Sequence, residues 1–199
     1  MARSILANSS EHSRPSRREL TALFCDLRGF TFLCERERPE DVVELLNTVY
    51  EGACTIIRSH GGTVNKFLGD GLLALFGAPD DLEDHAYAAA QAAIEIQQLI
   101  RYLRQRGGTW THLAVGIGID SGDVVVGPLG STQRVEYTAI GSPVNRAARL
   151  QGFAERDSRR IILSDASARA VGKRLEMKRL ADVELKGFNR AETIYSLRH

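Results

Sequence analysis

Two aspartates carry the most chemical information in this chain. Asp26 lies in FCDLRGFT (24–31) and Asp70 in KFLGDG (66–71). Each closes an apolar run that reads as a strand, and each has a glycine close by. Carboxylates delivered to strand ends beside glycine turns suit hard divalent cations, which take oxygen ligands and share them with substrate phosphates. In isolation, either aspartate reads more readily as a turn residue bonded to its own backbone. Asp26 resists that reading. Apolar residues flank it (LFCDL), and a charge at the core boundary needs a cation or several donors. The following Arg28-Gly29-Phe30-Thr31 lead toward a helix whose first N–H groups can face an anion.

A third run, EYTAIGSPVNRAARL (136–150), sets Asn145 and Arg149 four apart on one predicted helix face. Arginine supplies a planar donor fork for a phosphate, and asparagine an amide for a sugar oxygen. The same spacing also describes a solvated helix face. Here Val144, Ala147 and Ala148 keep the surroundings small and apolar, which permits close approach of another surface. Arg146 on this helix reads as a surface residue. Lys66, in TVNKFL, and Lys186, in ELKGF, each read alone as exposed strand lysines. Metal-type carboxylates with a positioned Asn/Arg pair are equipment for chemistry at a phosphate.

These residues need elements to hold them. Residues 20–27 read as a buried strand. A helix is predicted over 39–59, with Pro39 in its first turn, an apolar stripe at helical spacing, and Gly61-Gly62 at its end. Residues 63–68 and 72–76 form a predicted hairpin with Asp70 at its tip. An Ala-rich helix follows over 82–106. Residues 112–119 alternate as a strand, turn at Asp120-Ser121-Gly122, and return through Val124, Val125 and Val126. A strand at 135–140, a helix at 143–153, a strand at 160–163, a short helix at 164–171 and strands at 175–186 and 192–197 complete the pattern. Strands and helices without strict alternation imply an α/β or α+β layer fold.

Composition sets the outer bounds. The chain has 199 residues and a net charge of +1, which fits one compact soluble domain. The neutral balance gives no support for nucleic-acid or membrane-surface binding by bulk charge. No apolar run is long enough to span a bilayer, and no signal peptide is visible, so a cytoplasmic domain is expected. Residues 1–18 are polar and read as a flexible leader or the end of a linker from an upstream regulatory region, and 19–199 as the domain. That longer protein could be membrane-tethered. The three cysteines, Cys25, Cys34 and Cys54, lack metal-type spacing, and Cys25 and Cys54 read as buried. The five histidines are scattered, without a zinc pattern.

Five motifs, FCDLRGFT, GGTVNKFLGDG, VGIGIDSGDVVVGPLG, EYTAIGSPVNRAARL and ELKGF, occur in the order and at the spacing of the class III nucleotidyl cyclase catalytic domain. The resemblance runs from about Arg17 to Leu197. It implies a ferredoxin-like α/β sandwich with a mixed, mostly antiparallel sheet covered by helices. It further implies a head-to-tail homodimer with two active sites in the shared cleft. By motif position, Asp26 and Asp70, helped by the Leu27 carbonyl, would bind two Mg2+ or Mn2+ ions. Gly29, Phe30 and Thr31 would cradle the β and γ phosphates. The partner chain would bring Lys66 and Thr138 to the base, Asn145 to the ribose, Arg149 to the reacting phosphate and Lys186 to the triphosphate.

The base selector can be read from its atoms. Adenine offers an N1 acceptor and an N6 donor, which match a Lys66 ammonium and a Thr138 hydroxyl. Guanylate cyclases resemble one another in placing an acidic residue at the position of Lys66, so ATP is the expected substrate and cyclic AMP the expected product. Many relatives carry Asp where this chain has Thr138, and a hydroxyl that both donates and accepts should discriminate less sharply. Mammalian relatives have a phosphate-binding Arg at the position of Gly116. Two alternatives are a guanylate cyclase and a catalytically inactive nucleotide-binding or dimerisation module. The signature of diguanylate cyclases is absent from the sequence.

Overall fold

The computed structural model describes residues 14–131, 133, 135–156 and 161–198. Residues 1–13 of the expected leader lie outside the described residues, while Ser16–Arg18 already belong to the first strand. In chain order the elements are β1 (Ser16–Leu27), α1 (Phe30–Arg36), α2 (Pro39–Ser59), β2 (Gly62–Leu68), β3 (Gly71–Phe76) and α3 (His85–Arg104). They continue with β4 (Val115–Gly130), β5 (Val135–Ile140), α4 (Ser142–Arg156), β6 (Ile161–Ser164), α5 (Asp165–Val171), β7 (Met177–Val183) and β8 (Glu192–Leu197). The sheet runs in the order β2-β3-β1-β4-β6-β8-β7, and β5 pairs with the far end of β4. Its pairings are antiparallel except β4 with β6. This is the expected α+β arrangement.

Strand alternation sorts β1 between the two faces of the sheet. Leu23, Cys25 and Leu27 join the apolar stripes of α2 and α3 in one core. Leu20 and Ala22 face the other way, into a core with Leu73, Leu75, Val124, Val126 and Ala147 of α4. Asp26 shares their parity, so it sits on the α4 side at the strand end. Glycine decides how closely α4 lies on β4. A Cβ on Gly118 would stand 2.2 Å from both the Ala147 carbonyl oxygen and the Gln151 nitrogen. Among the described residues no helix is long and apolar enough to cross a membrane.

Four expectations need correction. The turn predicted at Asp120-Ser121-Gly122 is the middle of β4, one continuous strand. Its polar side chains find partners instead of solvent. The Asp120 carboxylate accepts from Arg146 Nη1 at 2.7 Å and from the Ser164 hydroxyl, and Ser121 Oγ lies 2.7 Å from Thr21 Oγ1 and 2.8 Å from Ser167 Oγ. Arg146 is therefore a partner of a buried acid and not a free surface residue. The strand predicted over 175–186 ends at Val183, so Lys186 lies in a loop closed by Phe188 N–H donating to the Leu185 carbonyl at 3.0 Å. Cys25 is buried as expected, but Cys54 is only partly so.

Candidate active site

Asp26 is placed by two strands at once. Its register neighbours are Gly71 on β3 and Gly116 on β4. A Cβ on Gly71 would come within 2.7 Å of the Cys25 carbonyl oxygen and 3.1 Å of Asp26 Cγ. Glycine there leaves room for the carboxylate. Asp70 sits at the tip of the β2–β3 hairpin, after Gly69, whose φ of 69° is the left-handed conformation glycine adopts without strain. Tyr50 of α2 braces that tip: its hydroxyl donates to the Gly69 carbonyl, and its ring lies 4.4 Å from Phe67. Burial, then the Asp70 and Asp26 charges, push the Tyr50 hydroxyl above the usual tyrosine range.

One open cleft is lined by Asp26, Leu27, Arg28, Gly29, Phe30, Thr31 and Asp70. Gly29, with φ 73°, turns β1 into α1, and Arg28 N–H donates to the Ala114 carbonyl at 2.8 Å, pinning the backbone just past Leu27. The oxygen donors lining it are two carboxylates, the Thr31 hydroxyl and backbone carbonyls. That all-oxygen set fits a hard cation that completes its shell with phosphate oxygens and water. Burial, reinforced by the neighbouring Asp26, pushes the Cys25 thiol far up, so it is not a nucleophile.

The remaining predicted residues form separate groups within one chain. Lys66 Nζ lies 3.5 Å from Glu136 Oε2, and the Thr138 hydroxyl donates to Asn65 Oδ1 at 3.3 Å, so Lys66 and Thr138 each make a contact between β2 and β5. Asn145 and Arg149 are both exposed on one face of α4. Lys186 lines a second open depression formed by Glu184–Ala191. That loop is tied to α4 through Arg146, whose guanidinium lies 4.8 Å from the Phe188 ring centroid. None of Lys66, Thr138, Asn145, Arg149 and Lys186 lines the Asp26–Asp70 cleft.

Several contributors escaped the sequence reading. Tyr50 was legible only as part of the α2 stripe. Asn65 and Glu136 flank residues that were singled out, but neither type has a spacing signal. Asp120 looked like a turn residue. Burial pushes the Asp120 carboxyl up, while the Ser164 hydroxyl, the Arg146 guanidinium and the Ser121 N–H pull against that.

Comparison with known proteins shows the family. The family described as the adenylate and guanylate cyclase catalytic domain matches residues 13–199. The chain is 31% identical over 183 residues to a terminal-differentiation-specific adenylate cyclase of Dictyostelium discoideum, covering 90% of this chain and 9% of that protein. Among solved structures it resembles the adenylyl cyclase CyaB from P. aeruginosa, with a TM-score of 0.85 and 31% identity over 94% of this chain and 96% of that one. It also resembles the guanylyl cyclase Cya2, with a TM-score of 0.80 and 34% identity over 92% of each chain. The chain spans less than a third of the length of the first curated relatives it matches. Motif order, sheet topology and family match converge, and the chain belongs to the adenylate and guanylate cyclase catalytic-domain family.

Proposed function

We propose that this domain is an adenylate cyclase that converts ATP to 3′,5′-cyclic AMP and pyrophosphate at sites shared across a head-to-tail homodimer. The observation behind the base choice is that Lys66 and Thr138 each make a contact between β2 and β5, Lys66 with Glu136 and Thr138 with Asn65. Lys66 offers an ammonium donor and Thr138 a hydroxyl oxygen. Adenine offers the complementary N1 acceptor and N6 donor.

The division of residues within one chain supports the shared site. Asp26 and Asp70 line one cleft, whereas Asn145 and Arg149 face outward on α4. A two-fold interface would bring one group from each chain together twice. Exposed Phe67, Leu68 and Ile140, near the base-selecting strands, supply apolar surface for that contact.

The reaction is in-line attack of the ribose 3′-OH on the α-phosphorus with departure of pyrophosphate. Asp26, Asp70 and the Leu27 carbonyl would hold two Mg2+ or Mn2+ ions, which when bound lower the hydroxyl's pKa and offset phosphate charge. Gly29, Phe30 and Thr31 hold the β and γ phosphates through the first turn of α1. Asn145 orients the ribose, Arg149 offsets charge developing on the transferred phosphoryl group, and Lys186 binds the triphosphate. No covalent nucleophile is required.

A guanylate cyclase is the second reading. It is favoured by the 34% identity to a guanylyl cyclase and by Glu136, an acid that could meet guanine's N1 and N2 donors. Measuring cyclic AMP and cyclic GMP formed from ATP and GTP, with Mg2+ or Mn2+, at several protein concentrations decides between them. Dominant cyclic GMP production would overturn the adenylate assignment, and no turnover of either nucleotide would leave the inactive-module reading.

A further inference from the structure

We propose that Asn65 is a specificity-positioning residue: it forces the Thr138 hydroxyl to donate inward, so that Thr138 can only accept from a purine's 6-substituent. This rests on the reading of Thr138 as the group facing that position of the base.

The β2–β3 register shifts between Val64 and Lys66, so Asn65 is the extra residue of a β-bulge. A bulge re-aims a side chain that regular alternation would send elsewhere. Asn65 turns toward β5, where its Nδ2 donates to the Tyr137 carbonyl at 2.7 Å. Opposite Tyr137 on β4 stands Pro128, which has no N–H to give. The Asn65 amide supplies a donor at that carbonyl.

This bond fixes the amide's orientation. A carbonyl oxygen only accepts, so the nitrogen of Asn65 must face Tyr137; the flipped amide would set two oxygens together at 2.7 Å. Oδ1 is thereby left facing Thr138 Oγ1 at 3.3 Å. An amide oxygen also only accepts. The single hydroxyl proton of Thr138 therefore goes to Asn65, and Oγ1 has only lone pairs to offer elsewhere. Thr138 is 8% exposed, which limits the alternatives open to a rotating hydroxyl.

A 6-amino group can donate to that oxygen. A 6-oxo group cannot, and would meet it lone pair to lone pair. A hydroxyl, ordinarily ambivalent, becomes as directional as the carboxylate that many relatives carry at this place. Lys66, the residue after Asn65 on β2, lies 3.5 Å from Glu136 of β5 and supplies the complementary donor.

The test compares kcat/KM for ATP with that for purine riboside triphosphate, which lacks the 6-amino group, and with that for GTP. The proteins are the wild type, Asn65→Ala, Asn65→Ser, Thr138→Val and the double variant Asn65→Ala/Thr138→Val. All three nucleotides are measured on one preparation, so any loss of folded protein cancels in the ratios. Either Asn65 variant that folds serves. The wild type should favour ATP over purine riboside triphosphate by about tenfold, the worth of one buried hydrogen bond. That ratio should fall toward one in Thr138→Val and in the Asn65 variants, with GTP use rising relative to ATP in the latter. The double variant should match Thr138→Val. A wild-type ratio retained in the Asn65 variants, with loss in Thr138→Val, overturns the role of Asn65 and leaves the base reading standing. No wild-type preference, or one that survives Thr138→Val, overturns the base reading and this inference with it.

Discussion

Arg146 and Asp120 form an ion pair of 2.7 Å in which the aspartate side chain is fully buried and the arginine side chain is 20% exposed. The same guanidinium reaches Glu192 of β8 at 3.3 Å and lies against Phe188. One side chain thus joins α4, which carries Asn145 and Arg149, to β4, to β8 and to the loop that carries Lys186.

Removing Arg146 should cost stability in a pH-dependent way. Arg146→Met leaves a buried carboxylate without its counter-charge, and breaking such a pair costs about 3 kcal/mol. The sign follows from the shift. Burial raises the Asp120 pKa in the folded state, so the folded protein holds its proton more tightly than the unfolded chain. Stability from this group is present below the ordinary aspartate range and is lost as pH rises through the raised value. Losing Arg146 raises it further, so the deficit of the variant relative to wild type should widen as pH rises. Urea unfolding across a pH series measures this, and a pH-independent deficit would count against the pair. Arg146→Met/Asp120→Asn should recover part of the loss.

Gly118→Ala should dislodge α4. The added methyl group would meet backbone atoms at 2.2 Å, and backbone cannot rotate aside. Overpacking of this kind costs about 3 kcal/mol, and the displaced helix carries Asn145 and Arg149. Turnover should fall more than the folded fraction does. Near-normal kcat with a normal melting temperature would show that α4 does not need this close approach.

Much of this arrangement was legible in the sequence because it is local. Asp26 and Asp70 each end a strand beside glycine, and the α2 stripe with Pro39 before and Gly61-Gly62 after it gives that helix to within a residue. Asn145 and Arg149 announce themselves by helical spacing. The residues that escaped depend on long-range pairing. Asp120 and Arg146 lie 26 positions apart, and only the fold brings them together. Polar DSGD reads as a turn until the partners that satisfy it in mid-strand are known. Asn65 occupies a bulge, an irregularity that alternation cannot announce, and its orientation depends on a carbonyl 72 positions away.

The metal assignment predicts distinct results for activity and stability. Asp26→Ala and Asp70→Ala should each lower turnover by roughly several orders of magnitude, because oxygens on both sides of the displacement lose their charge compensation. Neither should unfold the domain, since removing one carboxylate relieves like-charge repulsion in the cleft. Mn2+ with an unreactive ATP analogue should raise the melting temperature of wild type through preferential binding to the folded state, and should do so far less in either variant. Equal shifts in wild type and variants would move the cation site away from these aspartates.

Complementation tests whether the site is shared. If Asp26 meets Arg149 only across a two-fold interface, Asp26→Ala and Arg149→Ala should each be nearly inactive alone. In a mixed dimer, one site receives both lesions and the other receives none. Random pairing makes about half the dimers mixed, each with one of two sites intact, so about a quarter of wild-type activity should return. Dilution adds an independent measure, since specific activity should rise with protein concentration until dimers saturate. Exchange is checked separately with differently tagged wild-type chains. Mixed variants that stay as inactive as their parents, while wild-type chains exchange, would confine Asn145 and Arg149 to the Asp26 cleft of their own chain. Their exposed position on α4, outside that cleft, argues for the opposite result.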